Sequence, residues 1–221
     1  VLYMLQHQVG RENFRRAITH YLNKHAHKTV ETWDLQKAFM DATGINVDVF
    51  FDQWIHRGGE PKFSVNYFEN PSEIKFIVEQ IHEKDEVVRD FEIPVDMAVY
   101  YKDGKIQRFT QKLKSSTETF SVNRDGDIDF ILFDEGSFVL KEVAFNKSEA
   151  AYLSQFQKAE YMLDRYDALV ALRGSKAELK RDALIQSFSK ERFDFIRAEI
   201  ATQLLADSGV PFALITSISK D

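Results

Sequence analysis

Apolar residues change their spacing twice along this chain, and the two changes divide it into three stretches. Up to about residue 61 they recur at helical intervals. Phe14, Ala17, Ile18, Tyr21 and Leu22 stand at i, i+3, i+4, i+7 and i+8, the stripe of a helix with one buried face. A second helix is predicted from Thr32, read as its N-cap, with Asp34 in the first turn where the helix dipole favours an acid. Leu35, Phe39 and Met40 form its buried face and Gly44 ends it. A third helix carries Phe50, Phe51, Trp54 and Ile55 on one broad face, with Trp54 expected to be largely buried. Gly58 or Gly59 supplies its left-handed cap, and Pro61 blocks continuation.

From about Lys62 the period falls to two. Phe63, Val65 and Tyr67 alternate with Ser64, Asn66 and Phe68, and Ile74, Phe76 and Val78 repeat the pattern. Phe91, Ile93 and Val95 follow, then Met97, Val99 and Tyr101, then Phe109, Gln111 and Leu113, then Phe120 and Val122, then Ile128, Phe130 and Leu132. Turns are marked by Asn70-Pro71-Ser72, Asp103-Gly104, Asp125-Gly126 and Glu135-Gly136. Asp103-Gly104 reads as a two-residue hairpin turn. About seven short strands at this spacing predict a compact β-sandwich over 62–146.

Beyond about Lys147 the helical period returns. Tyr152, Phe156, Ala159, Leu163, Tyr166 and Val170 predict one helix that Gly174 ends. Leu179, Ala183, Leu184 and Phe188 predict a second, and Phe193, Ile196, Ile200 and Leu204 a third that ends near Gly209-Val210-Pro211. Successive antiparallel helices with short turns look like the opening of an α-solenoid, and more helices are expected beyond residue 221. The expected organisation is thus a helical segment 1–61, a β-sandwich 62–146 and a solenoid-like helical segment 147–221.

Composition narrows the function. In 221 residues the net charge is −6, which argues against a general phosphate-binding surface and so against a nucleic-acid partner. There are no cysteines, hence no disulfide framework. No apolar run approaches the ~18–20 residues that span a bilayer, and no membrane partner is expected. Val1-Leu2-Tyr3-Met4-Leu5 has neither a basic leader nor a cleavage site and does not read as a signal peptide. With no initiator Met, the chain reads as a piece of a longer polypeptide, and a cytoplasmic or periplasmic location stays open.

The helical segment carries a series of short motifs in order: Val9-Gly10-Arg11-Glu12-Asn13-Phe14, Tyr21-Leu22-Asn23-Lys24-His25, Thr32-Trp33-Asp34-Leu35, and Trp54 through Gly59 to Pro61. In order and spacing this series resembles the aminopeptidase N family of zinc metallopeptidases. The resemblance implies that the first segment is the end of a thermolysin-like catalytic domain, followed by the family's small β-sandwich and helical superhelix. It further implies a parent enzyme that removes N-terminal residues from peptides with a zinc-activated water and a Glu as general base. Peptide substrates and the rest of the catalytic domain are the partners it implies.

The chain itself carries no zinc motif. His-Glu-x-x-His is absent, and His82-Glu83-Lys84-Asp85-Glu86 lacks the second histidine and falls in a charged turn. In the family the zinc motif and a transition-state tyrosine lie upstream of the helix that Val1 to Gln8 continues. Tyr3 does not match that tyrosine and takes no catalytic role. No catalytic, cofactor-binding or metal-binding residue is therefore assigned: zinc is expected in the full-length parent and not in this polypeptide, which is expected to be inactive alone. His20, His25 and His27 could bind a metal but read as ordinary surface or helix-end histidines, because neither His-x-x-x-His on a helix nor an acidic third ligand is present. Arg57 reads equally well as a cleft-lining residue or as a cation at a helix C-terminus, Asp129 and Asp134 read as solvent-facing or turn residues, and Asn146-Lys147-Ser148 as a chance match to a glycosylation acceptor. The competing function is a non-catalytic homologue serving as a protein-interaction scaffold, which an upstream His-Glu-x-x-His would exclude.

Overall fold

The computed structural model describes residues 1–210. Their contacts divide into two compact units. The first comprises Val1–Val95, Thr110–Arg124 and Phe138–Phe145; the second comprises Asp96–Phe109, Asp125–Ser137 and the chain from Asn146.

The first unit begins with helices α1 (Leu2–Val9), α2 (Arg11–Lys24) and α3 (Thr32–Thr43). Gly10, at φ 82°, makes the sharp joint between α1 and α2 that a residue with a Cβ resists. Ala17 of α2 is buried, but Phe14, Ile18 and Tyr21 are half-buried and Leu22 is exposed, so the predicted stripe is narrower than the sequence suggests. On α3 the N-cap is Glu31 and not Thr32: the Asp34 carboxylate accepts the Glu31 backbone N–H at 2.9 Å. Phe39 is buried as expected while Met40 faces solvent, and Gly44 caps the helix in the left-handed conformation at φ 72°.

The helix at the end of this segment departs most from expectation. One α-turn, α4 (Asp48–Phe51), widens into a π-helical turn over Asp52–His56, closed by Arg57 N–H donating to the Asp52 carbonyl at 2.9 Å. The extra residue rotates the face. Phe50 and Phe51 stay buried, Gln53 joins them, Trp54 is half-buried between Phe50 and Phe91, and Ile55 turns out to solvent. The core here is Met4, Leu5, Val9, Ala17, Phe39, Val47, Phe50 and Phe51. Of the two candidate stop glycines, Gly59 takes the positive φ, 85°.

Also in the first unit are β1 (Lys62–Glu69), β2 (Glu73–Gln80), β5 (Thr117–Asn123) and β7 (Glu142–Ala144), in sheet order β5-β2-β1-β7. β2 runs antiparallel to both β1 and β5. The alternation read from the sequence holds: Phe63, Val65, Ile74, Phe76 and Val78 are all buried, and Phe76 stacks on Phe120 at 5.2 Å. β7 was not foreseen. Its three exposed residues lie parallel to β1, Lys62 opposite Glu142, and are ordered by pairing, not by burial.

A three-stranded sheet has the order β4-β3-β6, from β3 (Ile93–Tyr101), β4 (Ile106–Leu113) and β6 (Ile128–Phe133). The connection at Asp103-Gly104 is not a two-residue turn but runs from Lys102 to Lys105, with Tyr101 N–H donating to Lys105 O across it at 2.9 Å. Ala98, Tyr100, Phe130, Leu132 and Ala159 form a core, with the Tyr100 and Phe130 rings stacked at 4.2 Å.

The helices of the second unit are α5 (Glu149–Lys158), α6 (Met162–Ala171) with a 3-10 turn Leu172–Gly174, α7 (Ala177–Phe188) and α8 (Asp194–Leu205). The single helix predicted from Tyr152 to Val170 is two. Ala159 is extended (ψ 136°), and the Arg165 guanidinium holds the break by donating to the carbonyls of Ala159 and Glu160. Ala159 is buried with the sheet residues. Ser148 caps α5, accepting Ala151 N–H at 3.2 Å. Phe156, Ala168, Leu169, Leu184, Ile196, Ile200, Leu204 and Val210 form the helical core. Leu179 and Phe193, expected inside, are exposed, whereas Lys180 is buried. α8 ends at Leu205, and the part of the predicted stop at Pro211 lies outside the described residues. No helix among the described residues is long and apolar enough to cross a membrane.

Candidate functional site

Within the first unit the helices leave an apolar groove of about 360 Å³, lined by Leu2, Leu5, Tyr21, Leu35, Phe50 and Phe51 among others. On α1, Tyr3 and His7 lie one turn apart and both stack on Phe138, at 5.6 and 3.7 Å between ring centroids. Tyr3 is solvent-exposed.

The histidines do not converge. His20 lies 3.8 Å from Asp41, whose carboxylate Lys24 also holds at 3.0 Å. His25 packs on Tyr21 and lies 3.9 Å from Asp34. His27 sits in the turn after α2 at φ 60°, and His56 ends the π-helical turn. His82 is buried edge-on to Phe91, with Nε2 at 3.0 Å from the Arg89 carbonyl. Among the described residues no three His, Cys, Asp or Glu side chains are grouped so as to hold a metal ion. The donor set that a catalytic zinc requires is not assembled by the described residues.

Two buried glutamines organise the strand-free stretch before β3. Gln80 donates Nε2–H to Phe91 O at 2.9 Å and accepts Phe91 N–H at 2.8 Å. Gln53, from the π-helical turn, does the same for Glu92, donating to its carbonyl at 3.0 Å and accepting its N–H. Each amide substitutes for a strand neighbour, so residues 91 and 92 are satisfied without a ladder. Arg57, close by, pairs with the Asp52 carboxylate, as a cation at a helix end does.

In the second unit several buried acids pair with partly exposed cations. Glu135 accepts Tyr100 O–H at 2.8 Å and the Arg108 guanidinium at 2.6 and 2.9 Å, and Arg108 also reaches Glu160 at 2.9 Å. Burial raises the Tyr100 phenol, and the hydrogen bond to Glu135 raises it further. The Glu135 hydrogen bonds likewise raise Arg108. Asp164 is pushed up to about 6 by burial, while Gly136 N–H donates to it at 2.9 Å and pulls the other way. Burial lowers Lys147 to about 8, with Asp164 and Asp167 opposing the shift.

Asp134 is a turn residue, as expected, whereas Asp129, expected to be solvent-facing or in a turn, lies on β6. Asp129 pairs with Lys158 at 2.5 Å, and Asp134 is buried in a left-handed turn. On the helices, Lys180 donates to Leu172 O at 2.5 Å and to Gln203 Oε1 at 2.7 Å, beside Arg173–Glu199 and Arg181–Asp207 pairs. Apart from Asp129 and Asp134, these polar centres carry no mark in the sequence, because their partners are distant in it, as with Tyr100 and Glu135, 35 residues apart.

Comparison with known proteins fits this helical opening. The sequence model described as the Peptidase family M1 domain matches residues 1–54. Tricorn protease-interacting factor F2 of Thermoplasma volcanium is 26% identical over 205 residues, covering 92% of this chain and 25% of that protein. Probable aminopeptidase 1 of Sulfurisphaera tokodaii is 26% identical over 212 residues, covering 93% and 25%. The crystal structure of Legionella pneumophila aminopeptidase A in complex with aspartic acid superposes with a TM-score of 0.67 at 16% identity, over 94% of this chain and 24% of that one. The family model thus matches the helical opening of the chain, and the solved structure shares its fold. The chain spans about a quarter of the length of the curated relatives it matches.

Proposed function

We propose that this polypeptide is the carboxyl-side portion of a zinc-dependent aminopeptidase that removes N-terminal residues from peptides. The observation that carries the reading is the family match over residues 1–54, the stretch that holds helices α1 to α4. Relatives named as aminopeptidases, aligned over more than nine-tenths of the chain, support a peptidase parent. In this reading 1–61 closes the catalytic domain, 62–146 is a β-sandwich spacer, and 147–221 opens a helical solenoid that limits access to the cleft. The zinc, its ligands and the general base belong to the parent's catalytic domain, and peptides are its substrates.

The test compares two proteins. The full-length parent should hydrolyse aminoacyl p-nitroanilides and lose that activity to a chelator. This 221-residue polypeptide should retain no stoichiometric zinc after dialysis and cleave nothing. A parent inactive on all such substrates and lacking His-Glu-x-x-His would overturn the enzyme reading in favour of an interaction scaffold. One zinc per chain on the isolated polypeptide would overturn the assignment of its sites.

A further inference from the structure

We propose that Asp164 is a proton-operated clamp on the buried turn Asp134–Ser137: protonated, it keeps the turn shut, and ionised, it lets the turn open more readily. The turn follows β6 and leads, through Phe138, towards β7. Three of its four residues have left-handed backbone, Asp134 at φ 59°, Gly136 at 85° and Ser137 at 56°. Two of these carry side chains, a conformation that persists only where surrounding contacts over-determine it.

Contacts that hold it come from β3, β4 and α6 of the second unit. β3 supplies Asp96 O, which accepts Glu135 N–H at 2.8 Å, and the Tyr100 hydroxyl, which donates to the Glu135 carboxylate. β4 supplies Arg108 on the same carboxylate. α6 supplies the Asp164 carboxylate, which accepts Gly136 N–H.

Asp164 is itself only 5% exposed. The charged groups that act on it are Glu135 from the turn, Asp167 from its own helix and Lys147 from the approach to α5. Two acids and burial oppose its charge; one lysine and the Gly136 N–H favour it. The Lys147 ammonium also donates to Gln155 Oε1 at 2.6 Å, and Gln155 Nε2–H donates to Asp164 O at 2.7 Å, so the lysine is held by α5 as well.

The sign follows from linkage. With the turn shut, Asp164 titrates at about 6. An opened turn admits water, and the carboxyl returns towards its ordinary value of about 4. The shut form therefore binds a proton more tightly, and opening becomes easier as pH rises from about 4 to about 6 and then levels. Two pKa units correspond to a change of up to about a hundredfold in the opening equilibrium.

Hydrogen exchange at the Gly136 amide, corrected for the intrinsic rate, reads that equilibrium directly. In the 221-residue polypeptide its protection should be at least about tenfold greater near pH 4.5 than near pH 7. Asp164→Asn, which keeps an acceptor and cannot ionise, should show high protection with no such dependence. A flat wild-type profile, or the wild-type dependence surviving in Asp164→Asn, would overturn the clamp. Should that variant not fold, the wild type still decides: the Gly136 amide shift must titrate with the Asp164 side-chain carbon, and separate midpoints refute the proposal.

Discussion

Gln80 is a polar side chain whose work is to complete someone else's backbone. It is buried and makes three bonds, to Phe91 N–H, Phe91 O and Ser115 O. Gln80→Ala would orphan those groups where water enters poorly, at roughly 1–3 kcal/mol for each group left unsatisfied. We expect a loss of about 2–4 kcal/mol in urea denaturation with an unchanged slope. A loss below about 0.5 kcal/mol, typical of a surface substitution, would show that the amide is dispensable. Trp54 teaches a complementary lesson. It marks the helix end in the sequence, but the π-helical turn leaves it half-buried and gives the inward position to Gln53.

Among the elements, the junctions separate into held and open ones. Gly59 lies against Val88, whose Cγ1 would stand 2.8 Å from an added Cβ, and Pro61 is buried, so the stop after the first helical segment is packed from two sides. By contrast Asn146, Ser148 and Glu149 are exposed, and α5 begins there on a serine cap. Limited proteolysis with a broad-specificity protease is expected to cut first within 146–149. Primary cleavage inside Phe91–Val99, where alternate residues are buried, would contradict the strand and loop packing described above. The break between α5 and α6 belongs to this scale too. Its apolar residues all fit one period, and the interruption is marked by the extended Ala159 and by the Arg165 contacts with two carbonyls.

Across the whole molecule the acid response is set by carboxylates shifted in opposite directions. Asp207 is held down to about 2, first by its hydrogen bonds with Arg181 and then by Gly209 N–H. Its folded value lies below the unfolded one, so its contribution is present above about pH 4 and is lost as pH falls through about 2. Asp164 is shifted up, so its ionisation weakens the fold between about pH 4 and 6. Asp207→Asn should therefore be less stable than wild type at neutral pH, with the gap closing as acid protonates the wild-type carboxylate. Thermal melts at stepped pH measure this, and a gap that stays constant down to about pH 2 would count against the Arg181 pairing as its cause.

Three successive regimes, helix, strand and helix, were legible because apolar spacing reports burial on one face, and burial on one face is what orders most elements here. The ordered motifs of residues 1–54 were legible for a related reason: local helix starts and stops lie within a few residues of one another. The exceptions all depend on partners distant in sequence. β7 has three exposed residues and exists because β1 offers it a ladder. The π-helical turn depends on Gln53 finding Glu92, 39 residues on. In the sequence Glu135 reads as a turn residue and Asp164 lies inside a single predicted helix, and their burial appears only when β3, β4 and α6 bring their partners near. A polar residue carries no periodic mark of its own burial, because the compensation that permits it is made by groups that only the tertiary fold brings near.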